Sequence, residues 1–140
     1  MKKAVILSIC GRQYYADQEP DTIELVTEGT LEQVDGGWKL CYEESDLTGL
    51  QGVHTMFQVV GKTVTLTRTG KLNSQMVFEE GVSHDSLYQT EFGALMLTVC
   101  ATKVEANISA EGGALDLVYS IEIEKTAAGT IEYHLEIRAK

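Results

Sequence analysis

Proline occurs once in this chain of 140 residues, at Pro20, and no Ser/Gly/Pro-rich tract marks a linker. The length suits one domain with volume for a proper core, so residues 1–140 are expected to fold as a single unit. Basic residues are scarce: 11 Lys and Arg stand against 21 Asp and Glu, a formal net charge of −10. No Lys/Arg cluster relieves that field, which repels phosphate backbones and anionic headgroups and argues against nucleic acid and membrane surfaces as partners. The plain role of the acidity is solubility. Cysteine appears three times (Cys10, Cys41, Cys100), an odd number at wide spacings with no CxxC. A disulfide framework and a zinc site are both disfavoured. The thiols are expected as buried small hydrophobes in a reducing compartment.

Long apolar runs are missing too, so nothing here could span a membrane. Met1-Lys2-Lys3 followed by Ala4 to Cys10 has the outline of a secretion signal. Its apolar run is too short, and bulky Ile9 stands where a small residue should precede cleavage. A first strand is the better reading, with the cytoplasm as the expected location. Asn107-Ile108-Ser109 is then no glycosylation site.

What the chain does have is alternation. Runs of period two, rich in β-branched residues and separated by Gly-containing turns, predict strands near residues 3–10, 21–34, 38–44, 53–60, 63–69, 75–80, 86–91, 94–108, 114–125 and 130–139. No amphipathic helix competes, although Ser45–Gln51 suits a short helical turn. Hairpin registers test these strands, because a wrong one sets apolar residues opposite polar ones. A type II′ turn at Gly61-Lys62 pairs Val59 with Val64, Phe57 with Leu66 and Thr55 with Arg68, giving one mainly apolar and one mainly polar face. A type I′ turn at Asp35-Gly36 pairs Leu31 with Leu40, Gly29 with Tyr42 and Thr27 with Glu44. Tyr42 then covers the gap left by a strand glycine. A loop at Ala127-Ala128-Gly129, with a G1 bulge, pairs Ile121 with Leu135, Ile123 with Tyr133 and His134 with Glu122.

Strands joined in succession by short hairpins build a meander, and about eight to ten twisted strands either close or leave a hazardous edge. The expected fold is therefore all-β: a single closed or nearly closed antiparallel barrel. A two-sheet sandwich is the alternative.

Familiar catalytic arrangements do not emerge. His84-Asp85-Ser86 contains the letters of a hydrolase triad, but adjacent residues point apart, and a triad needs convergence from separate segments. The segment reads as a turn after Gly81. His54 and His134 fall on the outer face, so a metal site is not expected. No phosphate loop and no βαβ unit occur, and no cofactor is expected. The informative residue is Arg68. Its register puts it on the face of Val64, Leu66, Phe57 and Val59, inside the barrel, where an unpartnered guanidinium is very costly. Glu44 and Tyr42, on the Leu40 face, are its natural neighbours, and Tyr88 completes the cluster if its strand points inward. Tyr119 and Tyr133 read as core, and Trp38 as a cap over one barrel end.

The stretches Val64-Thr65-Leu66-Thr67-Arg68-Thr69-Gly70 and Asn73-Ser74-Gln75-Met76-Val77-Phe78-Glu79-Glu80-Gly81 resemble the YwiB-like family of small, uncharacterised bacterial proteins. So do Tyr42-x-Glu44, Leu87-Tyr88-x-Thr90, Phe92-Gly93, Gly112-Gly113-Ala114-Leu115-Asp116-Leu117 and Tyr119-Ser120-Ile121-Glu122. The resemblance covers nearly the whole chain. It implies a calycin-type barrel, related in shape to lipocalins, without an export signal and usually from Gram-positive bacteria. It implies no activity. The family usually carries a proline between the threonine and the glycine of the Tyr88 loop, where this chain has Glu91-Phe92.

Two functions from different classes compete. In the first, the barrel is a non-catalytic binder of a small apolar or amphipathic molecule, an acidic one being among the candidates, with Arg68, Tyr42, Glu44 and Tyr88 as ligand-binding residues. In the second it is a structural or homo-oligomeric module with a filled interior, in which Arg68 serves an internal ion pair and Val60, Val77 and Val118 are candidates for an external patch. An enzyme using the internal carboxylate and arginine is the third reading, with no nucleophile or base in a defined role.

Overall fold

The computed structural model describes residues 2–14, 19, 21–44, 51–90 and 92–140. Ten strands follow one another: β1 (Lys2–Tyr14), β2 (Asp21–Val34), β3 (Gly37–Glu43), β4 (Val53–Val60), β5 (Thr63–Gly70), β6 (Asn73–Phe78), β7 (Ser83–Thr90), β8 (Gly93–Ser109), β9 (Gly112–Ile123) and β10 (Thr126–Ala139). Each pairs antiparallel with its neighbours in sequence, and β1 closes the ring against β10. The fold is all-β, a closed ten-stranded meander barrel with no helix among the described residues. Closure removes the free edges that a sandwich would leave. The proposed helical turn at Ser45–Gln51 lies almost wholly outside the described residues, as does Glu91.

The β4–β5 hairpin has the expected register, with Val59 opposite Val64, Phe57 opposite Leu66 and Thr55 opposite Arg68. Gly61 supplies the positive φ at 60°. At Asp35-Gly36 the pairs Leu31–Leu40 and Gly29–Tyr42 form. Only Gly36 takes positive φ, however, so the turn is not type I′, which needs it at both central residues. The ladder ends at Gly29 and Tyr42, so Glu44 does not face Thr27; its N–H bonds instead to the Val53 carbonyl of β4.

The last hairpin differs from expectation. Its turn is Glu124-Lys125, both with positive φ (51° and 69°), and Ala127 to Gly129 form a bulge inside β10. Ile121 therefore faces Gly129 rather than Leu135, and His134 faces Asp116 rather than Glu122. Sequence rules look for glycine where φ is positive, and here two ordinary residues adopt it. The Ile121 displacement of six residues (135 against 129) is even, so the inward set survives.

The alternation sorts the wall into a lining and an exterior. Val5, Leu7, Leu31, Leu40, Val64, Val99, Leu115 and Leu135 are buried inside. β8 carries a bulge between Ala101 and Lys103, after which Val104, Ala106 and Ile108 take over its inner face. Glu80 caps that irregularity by accepting the Val104 N–H at 2.8 Å. The cysteines do not join the core. Cys10, Cys41 and Cys100 are free and half-buried, each alternating with buried inward neighbours and so lying on the outer face. The seam between β6 and β7 is short, with two register pairs, Asn73–Gln89 and Ser74–Tyr88.

Candidate functional site

Eight strands enclose a bore that side chains just fill, and diameter grows with strand number, so ten leave spare volume. The end bearing the Asp35-Gly36, Gly61-Lys62 and β8–β9 turns is packed, with Val5, Leu31, Leu40, Val64 and Phe78 each buried to 2% exposure or less. Trp38 packs against the core there, at the start of β3. The opposite half contains a cavity of about 490 Å³. Its lining comes from the mouth-side portions of the strands, from Ile9 of β1 round to Leu25, Tyr42, Phe57, Leu66, Met76, Leu97, Leu117 and Ile131. Ile23, Leu95 and Ile123 form a partly exposed apolar lip.

All four residues singled out from sequence line this cavity: Tyr42, Glu44, Arg68 and Tyr88. Arg68 points inward between Thr55 and Ser74, both buried. Its Nε lies 3.7 Å from Glu44 Oε2, with the Arg68 side chain 19% exposed and that of Glu44 2%. This is an ion pair by charge but too long for a hydrogen bond. Glu44 Oε2 instead accepts the Thr55 hydroxyl at 2.5 Å. Arg68 Nε is buried with no hydrogen-bond acceptor among the described residues, and so is the Ser74 hydroxyl opposite it.

Three tyrosines surround this centre. The hydroxyls of Tyr42 and Tyr133 lie 3.4 Å apart, linking β3 to β10 across the bore. Tyr133 packs on Phe57 with ring centroids 5.6 Å apart, and Tyr119 on Phe78 at 4.6 Å. Burial, reinforced by the Glu44 charge, pushes the Tyr42 phenol up to about 12; burial does the same for Tyr119, also to about 12. Burial holds Tyr133 well above its ordinary value, with the Tyr42 hydroxyl adding to the effect. The Arg68 charge opposes the rise in all three, and the four side chains line the same cavity. These phenols stay protonated near neutrality and can donate or accept hydrogen bonds. Treating Tyr119 and Tyr133 as core alone missed this; their alternation with Leu117, Ile121, Ile131 and Leu135 is indistinguishable from packing.

The remaining sequence candidates lie elsewhere. His84-Asp85-Ser86 belongs to β7, not to a turn, and does not converge: His84 Nε2 meets Glu79 at 3.2 Å, while Asp85 accepts the Thr98 hydroxyl at 2.7 Å. His54 is exposed beside Glu43, and His134 stands between Asp116 and Glu136 on the outer face. No cluster of three metal-ligating side chains occurs among the described residues. Val60, Val77 and Val118 sit on β4, β6 and β9, strands that are not neighbours in the ring.

Comparison with known proteins bears on the fold. The crystal structure of the ywiB protein from Bacillus subtilis superposes with a TM-score of 0.89, covering 99% of this chain and 93% of that one at 19% identity. No curated protein matches the sequence. The model of a domain of unknown function, DUF1934, matches residues 7–137, and the chain belongs to that family.

Proposed function

We propose that this protein is a non-catalytic binding barrel that takes a small amphipathic molecule into its open half. One observation carries the reading: a cavity of about 490 Å³, mostly apolar in its lining, reaches an inward arginine whose buried Nε has no acceptor among the described residues. A filled bore with every Arg68 donor consumed would have favoured a purely structural ion pair. An unsatisfied buried donor costs about 1–3 kcal/mol and is retained where something else supplies its partner. Mostly apolar walls with a few convergent polar groups are the general pattern of small-molecule sites. The chemistry of the cluster also favours binding over reaction. Phenols raised toward 12 are poor nucleophiles and poor bases near neutrality.

Two measurements test this. Native mass spectrometry of protein purified from its own host should show a bound small molecule. The recombinant protein should bind the neutral fluorophore N-phenyl-1-naphthylamine once per chain, and Leu97→Trp, which adds bulk to the cavity lining, should weaken that binding strongly. No co-purifying molecule, together with no saturable binding of the fluorophore, would overturn the proposal.

A further inference from the structure

We infer that the cavity accepts an amphiphile whose head carries a single negative charge, a carboxylate being the simplest case, seated head inward on Arg68 with its apolar part leaving along the β8–β10 wall. This rests on the binding reading above and adds to it the charge, polarity and orientation of the ligand.

The head follows from the donors. A guanidinium offers five N–H groups in a planar fork. Glu44 neutralises the Arg68 charge from 3.7 Å, beyond hydrogen-bond range, without taking the buried Nε hydrogen, while the same carboxylate oxygen accepts the Thr55 hydroxyl. Apart from the Glu44 carboxylate, the polar groups that share the cavity with the guanidinium are hydroxyls able to donate: those of Tyr42, Tyr119 and Tyr133, together with the neighbouring Ser74 hydroxyl, which has no partner among the described residues. A guanidinium with hydroxyl donors in the same cavity is complementary to an oxyanion, which gains charge-assisted bonds that a neutral head lacks. The number of charges follows from the same cluster. Arg68 and Glu44 already sum to zero inside a chain of net charge −10. Arg68 is the one cation among the described lining residues, so a singly charged head takes the cluster to −1 and a doubly charged one to −2, a steeper cost in a desolvated site.

Orientation follows from the opposite wall. β5, which carries Arg68, lies across the ring from β10, since four strands separate them in each direction. On that side Leu97, Ile121 and Ile131 form an apolar strip of the lining beside Tyr119 and Tyr133. It continues upward into Leu95 and Ile123, which are 42% and 37% exposed at the mouth. Apolar side chains exposed at the rim gain by being covered. A tail rising from a head at Arg68 covers them, whereas a head placed at the lip would leave the polar cluster facing hydrocarbon.

Isothermal titration at pH 8 of decanoate, decanol and decyl phosphate, each below its aggregation concentration, tests the inference. Decanoate should bind roughly tenfold or more tightly than decanol, the usual return on a charge-assisted contact. Decyl phosphate, doubly charged at that pH, should bind more weakly than decanoate. Arg68→Gln should bring decanoate down to the affinity of decanol and leave decanol within about twofold of the unaltered protein, since only the charge-assisted contact is lost. Glu44→Gln is the second variant, should Arg68→Gln fail to fold; it should tighten decanoate and not decanol. Equal binding of acid and alcohol, tighter binding of the phosphate, or a preference that survives Arg68→Gln would each overturn the inference while leaving the cavity a binding site. If no decyl compound binds and the neutral fluorophore does not either, the binding reading itself fails.

Discussion

Replacing Arg68 by methionine isolates what holds the polar cluster together. Arg68 Nε and Glu44 Oε2 are 3.7 Å apart, and the Glu44 side chain is 2% exposed. Two unit charges at that separation attract by about 4 kcal/mol at an effective dielectric constant of ~20. Part of this is already offset by the desolvation both charges bear, and the cavity beside the guanidinium screens the rest. Arg68→Met leaves a buried carboxylate without its counter-charge, so a loss of about 2–3 kcal/mol is expected, a little under the ~3–5 kcal/mol typical of a fully buried pair because the cavity screens this one. Equilibrium urea denaturation at pH 7, followed through Trp38, the single tryptophan, reads it. With a slope of ~2 kcal/mol per molar urea, the midpoint should fall by about 1–1.5 M. The double variant Glu44→Gln/Arg68→Met should recover most of the loss, because a neutral amide can keep the Thr55 contact and needs no cation. An unchanged midpoint in Arg68→Met, or a double variant no better than the single one, would refute the pairing as the source of the effect.

Other expectations concern different parts of the barrel. A Cβ at Gly29 would come 2.5 Å from the Cys41 carbonyl oxygen and 2.9 Å from Leu7 Cδ1, so Gly29→Ala should destabilise by about 1–3 kcal/mol through overpacking; a thermal melt no lower than that of the parent protein would contradict it. Tyr42 and Tyr119 have folded-state values raised from 10.0 to about 12, so the stability they contribute is complete below pH 10 and is lost as pH rises toward 12. Absorbance titration should show phenol ionisation delayed into that window, and Tyr42→Phe/Tyr119→Phe should remove that component. Hydrogen bonds to Asp116 and then Glu136 raise His134 above its ordinary 6.5, so their contribution is full below that pH and fades as pH rises through the folded value. His134 is 43% exposed, which limits the effect to about 0.3 kcal/mol; an NMR titration of His134 that Asp116→Asn leaves unmoved would rule it out. The short β6–β7 seam should lose amide protection before the β8–β9–β10 wall in hydrogen exchange.

Much of the lining was legible in the residues because alternation is a local property. Phe57, Val59, Val64 and Leu66 share a face with Arg68 by parity alone, and one glycine at position 61 sets their register. The β9–β10 hairpin shows the limit of such rules. Positive φ at Glu124 and Lys125 is disfavoured for residues with side chains, yet the turn forms there and Gly129 goes to a bulge. Pairing along the length of two long strands outweighs the preference of two turn residues.

By itself, then, the order of residues determined which side chains face inward, that the strands succeed one another as a meander, and that one guanidinium lies among the apolar lining. Three things depended on the assembled wall. Ring closure at ten strands leaves half the bore open, because interior volume grows with strand number while each strand supplies side chains only at alternate positions. The three tyrosines reach the cavity of Arg68 from β3, β9 and β10, a meeting of distant segments that no local period encodes. The gap of 3.7 Å between Arg68 and Glu44 is set by where β3 and β5 stand in the closed ring, and it decides whether that arginine is consumed by the fold or remains open to a ligand.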